Sequence, residues 1–359
     1  MTAYTVPTET PESDGTLAWS QTTLVLVRLV ACGACGVGYS FADIATATLI
    51  DSLLKRHIVG RNPLNIPELW CAMVRNIRNL GRPGISSMAI SAVDNALWDL
   101  KARLLNLSTA DLLGRAHQSI AAYGSGGFTS YPIVELKRQL KNWADQGLSA
   151  VKMKIGTDPA ADVERVRAAR EAIGSDVELY VDANGAYNRK QALAKARAFA
   201  DLGVSWFEEP VSSDDLEGLR LIREASPAGI RIAAGEYGYD AFYFRRMLEA
   251  GSVDVLQADA TRCAGITGFL AAGALCASFS TPLSAHTAPS LHAHVACATP
   301  SALNVEYFFD HYRIEQMFFS GALVPSGGML RPDAARPGFG LECKMRDMEK
   351  YRVYGSVTQ

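Results

Sequence analysis

After Gly114 the chain alternates short apolar runs with amphipathic segments, and run after run ends in a polar or charged residue: Lys152 and Lys154, Asp182 and Asn184, Glu208, Glu236, Asp259, His286, Glu306. From Lys154 onward these residues fall at intervals of 28, 26, 28, 23, 27 and 20. A (β/α)8 barrel of about 250 residues spends about 30 on each strand-plus-helix unit and gathers its strand-end residues at one mouth. Runs at 120–123, 150–154, 178–182, 206–209, 232–235, 253–257, 282–285 and 303–306 supply eight strands, with helical patterns between them. The fold class is therefore α/β, a TIM-type barrel over residues 116–325. An open Rossmann sheet is disfavoured, because the glycines at 124–127 lead into Phe128 and a Pro-containing segment, with no helix start at the required offset.

The first 115 residues have a different rhythm. A β-branched run at 22–29 and a short run at 36–39 flank a Gly-containing turn and read as a hairpin. Helical spacing follows at 42–57, 66–80 and 86–105, so strands then helices give an N-terminal α+β capping domain. Residues 326–359 are rich in Gly and Pro, contain no further unit and are expected to pack back on that cap.

Composition excludes several classes. Apolar residues at 48% and charged residues at 20% describe a chain with a large core. Lys+Arg (35) nearly balances Asp+Glu (37) with no basic stripe, so neither nucleic acid nor a membrane is an expected partner. Residues 1–14 are polar and acidic, unlike a signal peptide, and the expected location is cytoplasmic. Cys32 and Cys35 form a CxxC, but no second pair or His cluster accompanies it, and the seven cysteines read as reduced thiols.

Three carboxylates at the ends of consecutive strands, Asp182, Glu208 and Glu236, would converge within a few ångströms, and hard oxygen donors in that number suit Mg²⁺. Without a cation they would raise one another's pKa values. Lys152 and Lys154 alternate with Val151, Met153 and Ile155, which points both ammonium groups into the barrel. Repulsion between the lysines, with the metal nearby, favours a neutral Lys154 able to accept a proton. Asp259 and His286 end neighbouring strands, an orienter and a base. His57, His117, His292, His294 and His311 have no such partner and read as packed or surface residues.

The segments VKMKIG, VDANGAY, FEEP, the Gly-Glu pair at 235–236 and DVLQADATRCAGIT, with a later strand-end His and Glu, resemble the enolase superfamily and, within it, the mandelate racemase subgroup. The resemblance extends to SAVDNALWDLKARLLN before the barrel. It implies a modified, enolase-like barrel with one Mg²⁺ per site on Asp182, Glu208 and Glu236. Lys154 and the Asp259/His286 dyad would be acid/base groups on opposite faces of the substrate, with Lys152 and a protonated Glu306 meeting its developing charge and Asn184 assisting. The implied chemistry is abstraction of the proton α to a carboxylate to give a metal-stabilised enediolate. Loss of water from a sugar acid to a 2-keto-3-deoxy acid is the first expectation. A racemase or epimerase of a 2-hydroxy acid is the alternative, and a non-catalytic binding protein of the same fold is the remaining one. A homo-oligomer, dimer to octamer, is expected.

Departures from that pattern narrow the choice. No lysine ends the sixth strand, unlike the muconate cycloisomerase and enolase subgroups, and Glu236 stands where the glucarate dehydratase subgroup has Asn. Ala264 precedes Gly265 where the family more often has a Gly pair. Specificity is expected from the segments 14–19, 61–65 and 124–131: Trp19 and Phe128 would line an apolar pocket for an aromatic substrate, while Ser125, Thr129 and Arg61 would meet hydroxyls.

Overall fold

A computed structural model describes residues 1–356. The cap begins with three antiparallel strands, β1 (Thr2–Ser13), β2 (Ala18–Ala31) and β3 (Ala34–Phe41). β1 occupies the polar, acidic residues in which the sequence shows no strand. Ala3, Tyr4 and Val6 are buried, and the polar composition reflects Thr and Glu side chains on a strand whose outer half meets solvent. Thr5 and Thr23 face each other in register and share a hydroxyl hydrogen bond of 2.8 Å. The CxxC marks the turn between β2 and β3, where Cys32 and Gly33 take φ of +49° and +79°; the thiols are free.

Three helical segments cover this sheet. The first is shorter than its spacing suggests: a helix at Ile44–Leu49 widens into a π-turn at Ile50–Leu54 and tightens at Lys55–His57. The second runs Ile66–Asn76 and the third Ile85–Leu104. The third lies so close to β3 that a Cβ at Gly38 would stand 2.1 Å from the backbone nitrogen of Ala96, so only glycine fits there.

The barrel has eight parallel strands, β4 (Ile120–Gly126), β5 (Ala150–Lys154), β6 (Glu178–Asp182), β7 (Val204–Glu208), β8 (Arg231–Ala234), β9 (Val255–Ala258), β10 (Leu283–Ala285) and β11 (Ala302–Phe308). Pairing of β11 with β4 closes it. Its outer surface packs on the helices, while Tyr123, Tyr180, Trp206, Ala233 and Val255 fill the interior as a floor. A helix at Phe309–Phe318, which apolar periodicity did not reveal, follows β11. The C-terminal segment then does two jobs. After β12 (Phe319–Ser320), β13 (Met329–Leu330) pairs with the start of β4, β14 (Glu342–Cys343) pairs with β12, and β15 (Arg352–Gly355) adds to the outer edge of β1 in the cap. Among the described residues, no helix is long and apolar enough to cross a membrane.

The helix Ile85–Leu104 joins cap to barrel through its polar residues. The hydroxyl of Ser91, the amide oxygen of Asn95 and the carboxylate of Asp94 accept hydrogen bonds from the backbone N–H groups of Gly265, Ile266 and Thr267, which open the helix Gly265–Ser278. Thus SAVDN acts as a cap supplied from another domain for orphan donors at a helix start. Burial pushes the Asp94 carboxyl up to about 7, with the two hydrogen bonds from Thr267 opposing the rise. The folded value lies above the unfolded one of about 3.9, so the folded state holds the extra proton, and this contribution to stability is full below about pH 4 and lost as pH rises through 7. Urea midpoints of the natural chain should therefore fall relative to those of Asp94→Asn between pH 4 and 7. A difference that stays flat across that range would show that Asp94 is not the titrating group.

Candidate active site

Strand register builds the site in tiers. Lys154, Asp182, Glu208 and Ala233 pair in sequence across β5 to β8 at the C-terminal ends of the strands, with Lys152, Tyr180 and Trp206 one tier below. Both lysines are buried, as period-two alternation requires.

Asp182, Glu208 and Glu236 each offer an oxygen, and these oxygens lie within 4.8 Å of one another. A further oxygen here, Asn184 Oδ1, is buried with no hydrogen-bond partner. Buried, unpartnered oxygen donors are costly unless something binds them. A hard divalent cation such as Mg²⁺ fits the set. Asn184 reaches the site on a left-handed turn, φ +44°, while its own N–H donates to Asp182 Oδ1 at 2.9 Å.

The lysines pair with these carboxylates. Lys152 Nζ lies 2.6 Å from Glu208, 2.8 Å from Glu306 and 3.4 Å from Asp182. Lys154 Nζ stands 2.5 Å from Asp182 Oδ2. Trp206 of the floor donates to Glu208 Oε2 at 2.9 Å, and Ser125 donates to Glu306 at 2.5 Å. Across the mouth, His286 Nδ1 is 2.8 Å from Asp259 Oδ2, and its Nε2 is 3.1 Å from Glu236 and 3.8 Å from Glu306. Asp259 is itself held by the Thr261 N–H at 2.6 Å.

Two protonation balances are set by the charges that surround these side chains. Burial by itself would make Lys154 neutral, but Asp182, joined by Glu236 and Glu306, outweighs burial and Lys152 together and raises its pKa above the ordinary lysine value. Burial would likewise protonate Glu306, yet the charges of Lys152, His286 and Lys154 hold it below the usual carboxylate range. The expectations weighed lysine against lysine and left out the carboxylates between them. Crowding of the acids is visible at Glu208, which burial and then Asp182 push upward. His286 rises to about 9: burial opposes its charge, but Glu236 and the hydrogen bond to Asp259 together more than compensate.

The sequence reading overlooked several neighbours. Glu209, the second acid of FEEP, is buried at φ +37° with an unpartnered Oε1. Arg262 donates to the Glu236 carbonyl at 3.2 Å and lies 3.7 Å from Asp259. His292 is a packed residue, as expected, and its Nε2 accepts from the Ala260 N–H at 2.8 Å. Ala264 and Gly265 both take positive φ, +67° and +88°, which is why a Gly pair suits this turn and Ala264 is strained in it. Of the specificity candidates, Trp19 packs edge-on against Phe128 at 5.6 Å, and Thr129 is tied to Ser13 and Asp14. Arg61 is elsewhere, lining a separate cavity of about 570 Å³ in the cap.

A family model for the mandelate racemase / muconate lactonizing enzyme N-terminal domain matches residues 2–114, and one for the enolase C-terminal domain-like region matches residues 135–348. The chain belongs to the mandelate racemase/muconate lactonizing enzyme family. Within this family it is 33% identical over 349 residues, 94% of each chain, to a 3,6-anhydro-alpha-L-galactonate cycloisomerase of Streptomyces coelicolor. It is 30% identical to an L-talarate/galactarate dehydratase of Salmonella typhimurium, covering 95% of this chain and 87% of that one. Among solved structures, a mandelate racemase/muconate lactonizing enzyme-like protein from Rubrobacter xylanophilus superposes with a TM-score of 0.96 at 54% identity over 98% of both chains. A racemase from Streptomyces coelicolor, solved with bound magnesium, does so with 0.92 at 30% identity, again over 98% of both. The relatives are dehydratases, cycloisomerases, epimerases and racemases.

Proposed function

We propose that the chain abstracts the proton α to a substrate carboxylate and expels a β-hydroxyl, converting a sugar acid to a 2-keto-3-deoxy acid. The observation that carries this reading is the placement of Lys154 and the His286/Asp259 dyad on strands on opposite sides of one carboxylate trio. In this reading Asp182, Glu208 and Glu236 hold Mg²⁺, with Asn184 beside them. The ion supplies electrostatic stabilisation of charge developing on the substrate carboxylate. Lys154 and His286 reach the substrate carbon skeleton from two sides, one taking the α-proton and the other giving a proton to the departing hydroxyl. Asp259 holds the imidazole by Nδ1, leaving Nε2 to face the site. Lys152, held in place by Glu306, presents an ammonium donor where negative charge grows, and a preorganised donor of that kind is worth about 3 to 4 kcal/mol. Release of Lys154 from Asp182 is then part of loading the site, since one carboxylate oxygen cannot serve both partners equally.

Dehydration is preferred because acid-sugar dehydratases stand among the relatives. Racemisation or epimerisation of a 2-hydroxy acid is the second reading, favoured by the same two-sided placement of proton-transfer groups. A screen of mono- and diacid sugars with Mg²⁺, read by 2-keto acid formation, should give turnover that EDTA removes and added Mg²⁺ restores. Proton exchange with D₂O on a 2-hydroxy acid, with no sugar acid dehydrated, would transfer the assignment to the second reading.

A further inference from the structure

One buried polar group above the mouth is left without a role by this chemistry. His311 lies in the first turn of the helix Phe309–Phe318, is 8% exposed, and its Nδ1 is buried with no hydrogen-bond partner. Two other buried histidines are satisfied within the chain: His292 by Ala260 and Thr287, His294 by Ala110 and Phe339. An unpartnered buried imidazole nitrogen is expensive, and a polar group brought in with the substrate would satisfy it.

The surroundings say what that partner is. The ring stacks face to face on Phe41 of the cap and meets Phe308 edge-on at 5.1 Å. Phe308 is also the aromatic ring 6.0 Å from Lys154 Nζ, and Trp19 and Tyr131 extend the same apolar wall through Phe128. The charged groups that act on His311 are His286, Asp259, Arg262 and Glu306, all of the site. Burial and then the His286 charge keep its pKa well below the ordinary value, so it can both donate and accept as a neutral ring. Phe308 lies two residues beyond Glu306 along β11, about 7 Å further out from the tier of carboxylates at the usual strand rise. The near end of a substrate belongs with Lys152, Glu306 and the acid trio, so its far end comes to this collar. A second carboxylate there would be stripped of water between two phenyl rings, with Arg262 already engaged by Glu236 and Asp259.

We propose that His311 is a specificity-determining residue that hydrogen-bonds a hydroxyl at the distal end of the substrate, and that the substrate is accordingly a monocarboxylic polyol acid of five or six carbons. This deepens the dehydratase reading and rests on it. The test compares His311→Phe, which keeps the stack on Phe41, and His311→Gln, which restores a donor and an acceptor, against the natural chain with Mg²⁺. Substrates are pentonates, hexonates, galactarate and glycerate; glycerate has the α-proton and β-hydroxyl but ends short of the collar. Loss of one such bond to a buried group corresponds to about 10- to 100-fold in kcat/KM. That loss is expected for His311→Phe on the best pentonate or hexonate, chiefly in KM, with partial recovery in His311→Gln and less than threefold change on glycerate. Equal loss at every chain length, or none, overturns the inference while leaving dehydration intact. A natural chain that prefers galactarate to every monoacid overturns it as well. Absence of dehydration on all of these acids overturns the dehydratase reading, and this inference with it.

Discussion

His286→Asn and Lys154→Ala should each lower kcat by at least about 10³-fold, the upper part of the range that positioned acid/base groups contribute. Both should leave Mg²⁺ binding intact, and that pairing of outcomes is the informative part. Lys154 Nζ lies 2.5 Å from Asp182 Oδ2, and His286 Nε2 lies 3.1 Å from Glu236 Oε2. In the metal-free site each therefore competes with a cation for a proposed ligand. Removing the competitor cannot weaken Mg²⁺ binding by taking away a donor, and for Lys154→Ala the affinity should hold or rise. A merely structural role predicts the opposite pattern, with metal affinity and folding falling together with rate. Titration calorimetry with Mg²⁺ and steady-state kinetics on the best acid of the screen separate the two. If both variants turn over at the natural rate, neither side chain moves a proton in the reaction.

The barrel was legible in the sequence because its signal is repeated. Eight short runs at regular spacing outvote any one ambiguous run, and the inward lysines of β5 follow from period two alone. The family was legible because VDANGAY, FEEP and the Gly-Glu pair occur in order. What escaped has a common physical cause: it depends on neighbours that come from distant segments. β1 looks polar because half of it faces solvent, and only pairing with β2 on one edge and β15 on the other makes it a strand. Lys154 looked like a neutral amine because its sequence neighbour is another lysine, whereas in space its nearest charge is Asp182. His311 looked unremarkable because nothing adjacent in the chain shows that Phe41, some 270 positions earlier, stacks on its ring. The helix cap built by Ser91, Asp94 and Asn95 for residues 265–267 was present as a motif, but its purpose required the packing of cap on barrel.

Glu208→Gln should abolish turnover and the stabilisation that Mg²⁺ confers, without destabilising the metal-free protein in proportion. Glu208 is the middle member of the trio, and its neighbours define what the substitution removes. The amide oxygen of Gln can still accept from Trp206, which now donates at 2.9 Å, and Lys152 keeps Glu306 at 2.8 Å and Asp182 at 3.4 Å. The metal-free protein thus loses one ion pair but also sheds a buried negative charge that burial and Asp182 already oppose. Breaking a buried pair outright costs about 3 to 5 kcal/mol, because it strands a charge. Here the lysine is not stranded, so the cost should be well under that. The cation, by contrast, loses one of three anionic donors and should bind at least about 100-fold more weakly. In the natural chain, Mg²⁺ at 100 times its dissociation constant should add about 2.7 kcal/mol of stability, read as a rise in Tm. In Glu208→Gln the same Mg²⁺ concentration then equals the dissociation constant or falls below it, which leaves at most about 0.4 kcal/mol by the same relation and almost no rise in Tm. Melting curves with and without Mg²⁺ for both proteins provide the comparison. A full Mg²⁺-dependent rise in the variant would remove Glu208 from the metal site and, with it, the reading of the trio as a single centre.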